Sequence, residues 1–333
     1  MTDIIGAEVW RELASDTAYD GTLVRRRILP LLKHDIFVGE RRPSRERLLW
    51  LDIKEQAAAL PRRLPSSRGL EVEVDTSESG VTRIRLWSTA EQGNPLFEEL
   101  ANDVAKVLCR DPGEGAAARV MERVIAWQNF FSQRGDEFGT GRAAGLFAEL
   151  TVLRDVMIPV LGPYRGVTTW TGPDPAIQDF QHKRIAVEVK SYRGGGSGQL
   201  KITSERQLET TGVAELYIAF LRLDQREEGT GADLMQIVDG IREDLAASPA
   251  ALDLFGTKLL NYGWYDKFST VRVEKYAIRS FEIFEVRDNF PRIVSYELPI
   301  GIGSVSYSID RSAIEGFLVN SADFADRLKE QLD

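Results

Sequence analysis

Cysteine and histidine are almost missing: the 333 residues hold one cysteine, Cys109, and two histidines, His34 and His182. A single thiol excludes an intramolecular disulfide and a cysteine-rich zinc site. Two histidines far apart in sequence leave little for a histidine-ligated metal and no Ser-His-Asp triad to argue. Long apolar runs are missing too. No membrane span or membrane partner is therefore expected. Met1 to Glu8 lacks a basic start followed by an apolar core, so no signal peptide is expected and a cytoplasmic location is. An excess of positive charge is also lacking. Lys and Arg number 42 against 51 Asp and Glu, a net charge of −9, which counts against a dedicated nucleic-acid coat protein. If the chain holds a metal, carboxylates are the side chains left to hold it.

What is present is a soluble, core-forming composition, 43% hydrophobic and 28% charged, long enough for two or three domains. The charge is uneven. From Gly21 to Leu70 there are 12 Lys/Arg against 5 Asp/Glu, an excess of +7. Arg25, Arg26, Arg27, Arg41, Arg42, Arg45, Arg47, Arg62, Arg63 and Arg68 belong to this stretch. Such an excess can touch phosphates even on an acidic chain, or it can be a solvated face.

Periodicity places the elements. Residues 8–14 and 22–33 carry helical spacing. Arg47–Ile53 reads as a strand, and 70–75 with 81–87 as a hairpin across a turn-rich spacer. Helices follow at about 95–108, 114–134 and 142–160. Strands are expected at 167–170, 177–180 and 184–192, then a short helix at 204–208 and a strand at 215–221. The order in this stretch is thus helix, three strands, helix, strand. Further on, helices are expected near 232–247, 250–262 and 321–332, with strands at 270–276, 281–286 and 293–298. The expected division is 1–115, a mixed α/β region contacting DNA or a partner; 116–225, a central core; and 226–333, a mixed C-terminal region.

The chemistry concentrates at Glu188-Val189-Lys190. On a strand Glu188 and Lys190 share one face, about 6–7 Å apart, while Ile185, Val187 and Val189 face a core. If the chain reverses at Lys183-Arg184, Asp179 lies opposite Glu188, with Cβ atoms about 4.5–5.5 Å apart. Two carboxylates that close repel unless a cation lies between them or one is protonated. A hard ion such as Mg²⁺ suits them, and Lys190 beside it suits a phosphoryl-transfer transition state. The Lys183-Arg184 turn lacks the Gly or Asn a two-residue hairpin prefers, so a three-residue bulged loop is an alternative. By spacing alone Asp-x8-Glu-x-Lys is weak, and a surface salt bridge between Glu188 and Lys190 explains it as well.

The region resembles the PD-(D/E)xK nuclease superfamily. The carrying residues are Gly145-Leu146-Phe147-Ala148-Glu149-Leu150, Trp170-Thr171-Gly172-Pro173, Gln178-Asp179-Phe180, Val187-Glu188-Val189-Lys190 and Ser204-Glu205-Arg206-Gln207-Leu208. It is most similar to a bacterial family assigned to that superfamily and known as a domain of uncharacterised function. The strong likeness spans about Gly141 to Leu221, and the flanks resemble the family more loosely.

The resemblance implies an α/β (α+β) restriction-endonuclease-like core of helix-strand-strand-strand-helix-strand order, flanked by mixed regions. It implies a Mg²⁺-dependent deoxyribonuclease, with Mn²⁺ able to substitute. Asp179 and Glu188 match the metal-binding acids, aided by the Val189 carbonyl, and Lys190 matches the catalytic lysine. Glu149 matches an acid on the first core helix that adds a ligand or positions water; it is otherwise an ordinary helix-surface glutamate. Ser204 and Gln207 match a polar pair that touches substrate, with Gln207 able to orient Lys190. Asp174, after Pro173, rivals Asp179 but sits in a turn between prolines. The resemblance further implies an endonuclease of a bacterial restriction or phage-defence system, with DNA as substrate and ATPase or methyltransferase proteins as partners. Cutting both strands would favour a homodimer or a partner protein. The alternative is a catalytically inactive DNA-binding or scaffold subunit that keeps the fold.

Overall fold

The computed structural model describes residues 3–15, 23–57, 69–89, 94–132, 138–174, 176–195, 198–226, 231–267 and 274–331. They divide into two compact units, Met1–Asp136 and Glu137–Asp333. The expected boundaries at 115 and 225 differ from this division. Helix 116–132 falls in the first unit, and residues beyond 226 complete a sheet that begins before them.

The first unit runs α1 (Ala7–Ser15), β1 (Leu23–Ile28), β2 (Asp35–Arg41), β3 (Glu46–Ile53), β4 (Leu70–Asp75), β5 (Thr82–Ser88), α2 (Asn94–Arg110) and α3 (Ala116–Ser132). Its strands form one antiparallel sheet, ordered β1-β2-β3-β5-β4. Alternation decides the faces. Leu49, Leu51 and Ile53 are buried with Ile84 and Leu86 of β5, while Trp50, between them, carries the guanidinium groups of Arg25, Arg85 and Arg83 at 4.4, 5.0 and 5.4 Å.

The helix expected at 22–33 is instead β1. Three successive arginines hide a period-two edge strand, whose partner β2 supplies the hydrogen bonds. The arginine-rich stretch is also less free than its charge suggests. Arg26 pairs with Glu12, Arg27 with Asp35, Arg41 with Glu46, Arg42 with Glu40 and Arg47 with Glu98. Arg62, Arg63 and Arg68 lie outside the described residues.

In the second unit α4 (Thr140–Val152) continues through a π-helical turn, Leu153–Met157, into α5 (Ile158–Leu161). Then come α6 (Pro163–Thr169), β6 (Phe180–His182), β7 (Ile185–Tyr192), β8 (Gln199–Ile202), β9 (Glu215–Arg226), α7 (Leu234–Asp244), α8 (Pro249–Tyr262), β10 (Lys275–Glu285), β11 (Tyr307–Asp310), β12 (Leu318–Val319) and α9 (Ser321–Glu330). The main sheet is ordered β12-β10-β9-β7-β6, with β7 and β9 parallel and the other pairs antiparallel. A second, two-stranded sheet joins β8 to β11. Ile185, Val187 and Val189 join one core with Phe147, Leu150 and Tyr217. Ala186 joins the other with Leu200, Ile202, Ile218 and Phe220. The sheet is therefore covered on both faces, and a charged side chain on β7 is buried unless it reaches an edge.

The molecule is thus mixed α/β, but its elements differ from the expected ones in several places. Residues 167–169 form the end of α6, and Trp170, just past it, makes a single bridge to Phe180. Val167-Thr168-Thr169 is β-branched, yet Pro163 at the helix start favours the helical turn, and the Thr168 and Thr169 hydroxyls donate back to the carbonyls of Tyr164 and Gly166. Residues 204–208 form successive turns rather than a helix, because the Gln207 side chain folds back to accept from the Thr203 N–H at 2.9 Å. Similarly, 293–298 contains only a 3-10 turn at Ser295–Glu297, and β11 had no clear signal.

Candidate functional site

The site begins at a hairpin. Phe180 pairs with Val187, Gln181 with Ala186 and His182 with Ile185, so the chain reverses in two residues at Lys183-Arg184. Lys183 takes φ 50°, supplying the left-handed residue that the turn needs without a glycine. One residue further, this register brings Asp179 level with Glu188. Strand β6 stops at Phe180, and the Asp179 carboxylate accepts the hydrogen bond of the Val189 N–H at 2.7 Å. The Asp179 carbonyl is in turn gripped by the N–H groups of Thr171 and Gly172, at 2.8 and 2.9 Å. Asp179 is thus held from two sides.

Glu188 is 1% exposed. Its Oε1 accepts from Lys190 Nζ at 2.6 Å, while its Oε2 is buried without a hydrogen-bond partner. Burial first, and the Asp179 charge second, push the Glu188 carboxyl up to about 8 despite the neighbouring ammonium. Burial also raises Asp179. Lys190 donates a second bond to Gln207 Oε1 at 3.0 Å. That oxygen also accepts from Thr203, so the turn after β8 fixes the direction of the ammonium.

Glu149, on α4, faces the same acids and is buried. Trp170 Nε1 donates to its Oε2 at 2.8 Å, and the Tyr262 hydroxyl to its Oε1 at 3.0 Å. Burial and the charges of Asp179 and Glu188 still hold its carboxyl well above the usual range. Tyr262, from the end of α8, is itself raised by burial and by Glu149.

Gly172 makes this packing possible. A Cβ there would meet Glu149 Oε2 at 2.4 Å. Gly172→Ala is expected to dislodge Glu149 and to destabilise the protein by about 1–3 kcal/mol, the usual range for overpacking. A thermal melt checks this. An unchanged midpoint would mean that the carboxylate is not held against the Gly172 backbone.

Of the residues singled out from sequence, Asp179, Glu188, Lys190, Glu149 and Gln207 form one connected group, with Val189 joined through its N–H. Ser204 bonds within its own turn, its hydroxyl accepting from the Arg206 N–H at 3.3 Å. Asp174 stands apart, paired with Lys258 at 3.0 Å, and Lys258 also donates to the Trp170 carbonyl. His182 is half-buried at the end of β6, and burial lowers its pKa. Tyr262 carried no local signal, being 113 residues from Glu149. Gly172 and Trp170 belong to the Trp170-Thr171-Gly172-Pro173 stretch, but their contacts to Glu149 span more than twenty residues and leave no local pattern.

Among the described residues no three His, Cys, Asp or Glu side chains are arranged to hold a metal. The donor set on offer is smaller: Asp179, Glu188 and a backbone carbonyl. The unpartnered Glu188 Oε2, buried next to a second carboxylate, fits a hard cation, which would compensate both the desolvation and the repulsion.

A family model described as "Putative PD-(D/E)XK family member, (DUF4420)" matches residues 7–312. No curated protein and no solved structure matches the chain.

Proposed function

The chain belongs to the PD-(D/E)XK family matched over residues 7–312, and from that premise we propose that it is a Mg²⁺-dependent deoxyribonuclease, an endonuclease cleaving DNA phosphodiesters. One observation carries the reading: the orphaned buried oxygen of Glu188 beside Asp179, with Lys190 on its other oxygen. Asp179, Glu188 and the Val189 carbonyl would hold the ion. When bound, a divalent ion supplies Lewis-acid charge to phosphate oxygens and acidity to water.

The chain's own residues supply the rest. Lys190 has three N–H donors, of which Glu188 and Gln207 take two. The third can meet a non-bridging phosphate oxygen or the attacking water, where negative charge develops. Gln207 holds the ammonium in that direction. Glu149, clamped by Trp170 and Tyr262, orients water on the same side.

The test is incubation of plasmid and linear DNA with protein and Mg²⁺ or Mn²⁺, beside an EDTA control. Cleavage of closed circular plasmid supports an endonuclease. No hydrolysis with either ion would favour the non-catalytic DNA-binding or scaffold reading. The family resemblance alone supports a restriction or phage-defence role in the cytoplasm, ATPase or methyltransferase partners and a homodimer. Among the described residues no helix is long and apolar enough to cross a membrane.

The pH dependence of ion binding follows from Glu188. Its raised pKa means that below about 8 the carboxyl holds a proton, which a cation must displace. Mn²⁺ affinity is therefore expected to rise by about tenfold per pH unit up to that point, with proton release. Calorimetry in buffers of different ionisation enthalpy measures both, and a flat profile would remove Glu188 from the ligand set.

A further inference from the structure

The segment 295–306 is tied at both ends to the turn that positions Lys190. The Ser295 N–H donates to Glu209 Oε1 at 3.0 Å, and the Val305 N–H to Glu205 Oε2 at 2.8 Å. Arg292, just before it, donates to the Leu208 carbonyl at 2.8 Å. Between these anchors the chain makes a closed turn, with the Ile302 N–H bonded to the Pro299 carbonyl at 3.0 Å. Gly301 at φ 90° supplies the left-handed third residue that such a turn requires. The tip therefore has a defined shape.

What the tip presents is unusual. Ile300 is 106% exposed, Ile302 55% and Tyr296 66%, on a segment anchored beside the catalytic group. A fold gains nothing from holding Ile300 wholly, and Ile302 more than half, in water at the end of a hydrogen-bonded turn. The acids of the anchoring turn, Glu205 and Glu209, accept from the loop's own N–H groups, and Glu205 is held below its ordinary pKa first by its own backbone N–H and then by that of Val305. Lys201 and Arg206 on the same rim face solvent. Glu297 is the loop's own exposed acid. The rim thus offers cations for a phosphate backbone around an apolar point.

We propose that Ile300 and Ile302 form a wedge that enters duplex DNA between base steps next to the scissile phosphate. Apolar side chains on a rigid support unstack and kink a duplex in this way, and the kink lets more backbone reach the protein. This rests on the nuclease reading above and adds how the site engages its substrate.

The experiment uses a duplex carrying 2-aminopurine at successive positions, with full-length protein and Ca²⁺ in place of Mg²⁺. The native chain is expected to raise 2-aminopurine fluorescence at one or two adjacent steps. Ile300→Ser with Ile302→Ser is expected to abolish that rise and to weaken duplex binding about tenfold, equivalent to ~1.4 kcal/mol, while single-strand binding stays unchanged. Ile300→Phe, a larger wedge, keeps the signal and guards against a merely misfolded variant. Equal fluorescence and affinity in the serine variant would overturn the proposal. So would a native dimer that the serine variant turns into a monomer, because the tip would then be a contact between copies. Cleavage without a fluorescence change defeats the wedge and leaves the nuclease reading standing. Wedge-dependent fluorescence without cleavage does the reverse.

Discussion

Glu188→Gln is expected to end Mn²⁺ binding and to lower cleavage by about 10³-fold or more, since the ion's charge stabilisation is worth several kcal/mol. Glutamine preserves the shape and still offers an oxygen to Lys190, so the loss isolates the charge. Stability should move the other way. The folded-state pKa of about 8 lies above the ordinary glutamate value of 4.5, so the folded protein holds an extra proton between the two. Stability is then fully present below the lower value and declines as pH rises towards the upper one. Above it the native chain carries a buried carboxylate, which the variant lacks. In EDTA above about pH 8, Glu188→Gln is therefore expected to melt several degrees higher than the native protein, with the difference vanishing near pH 4. Retained Mn²⁺ binding in this variant, or a lower melting point at high pH, would sink the account of Glu188 as a desolvated ligand.

Lys190→Ala should separate chemistry from binding. The ammonium touches Glu188 and Gln207 but not Asp179 directly. Its removal is expected to reduce kcat by about 10²–10³-fold, the usual loss for one donor aimed at developing charge. DNA affinity should change little, and Mn²⁺ binding should persist, weakened at low pH because the Glu188 carboxyl loses the neighbour that lowers its pKa. Lys190→Arg restores charge but not the point-like geometry, so it should recover only part of the rate. If Lys190→Ala cleaves plasmid at the native rate, the lysine is a structural ion-pair partner. If it fails to bind DNA, its role is substrate capture.

The hairpin that aligns Asp179 with Glu188 was readable because it is local. Counting back from the alternation of β7 gives the register, and only the turn at Lys183-Arg184 looked doubtful. The errors have the same physical origin. The arginines of β1 imitate a helix face until β2 is beside them. Residues 167–169 favour a strand by side-chain type, yet the helical start at Pro163 and their hydroxyl bonds to the preceding turn outweigh that preference. The turn at 204–208 is shaped by Gln207 reaching back to Thr203, a contact that periodicity does not register.

The want of cysteine and histidine by itself assigned any metal to carboxylates, and strand alternation by itself put Glu188 and Lys190 on one face, because both depend on residue type and near neighbours. Tertiary structure alone decided that Glu188 would be sealed from water with one oxygen unmatched, that Tyr262 would reach Glu149 across 113 residues, and that the 295–306 loop would be pinned to the turn behind Lys190. Those outcomes depend on two cores closing over opposite faces of one sheet, and burial of that kind is set by residues far apart in the chain.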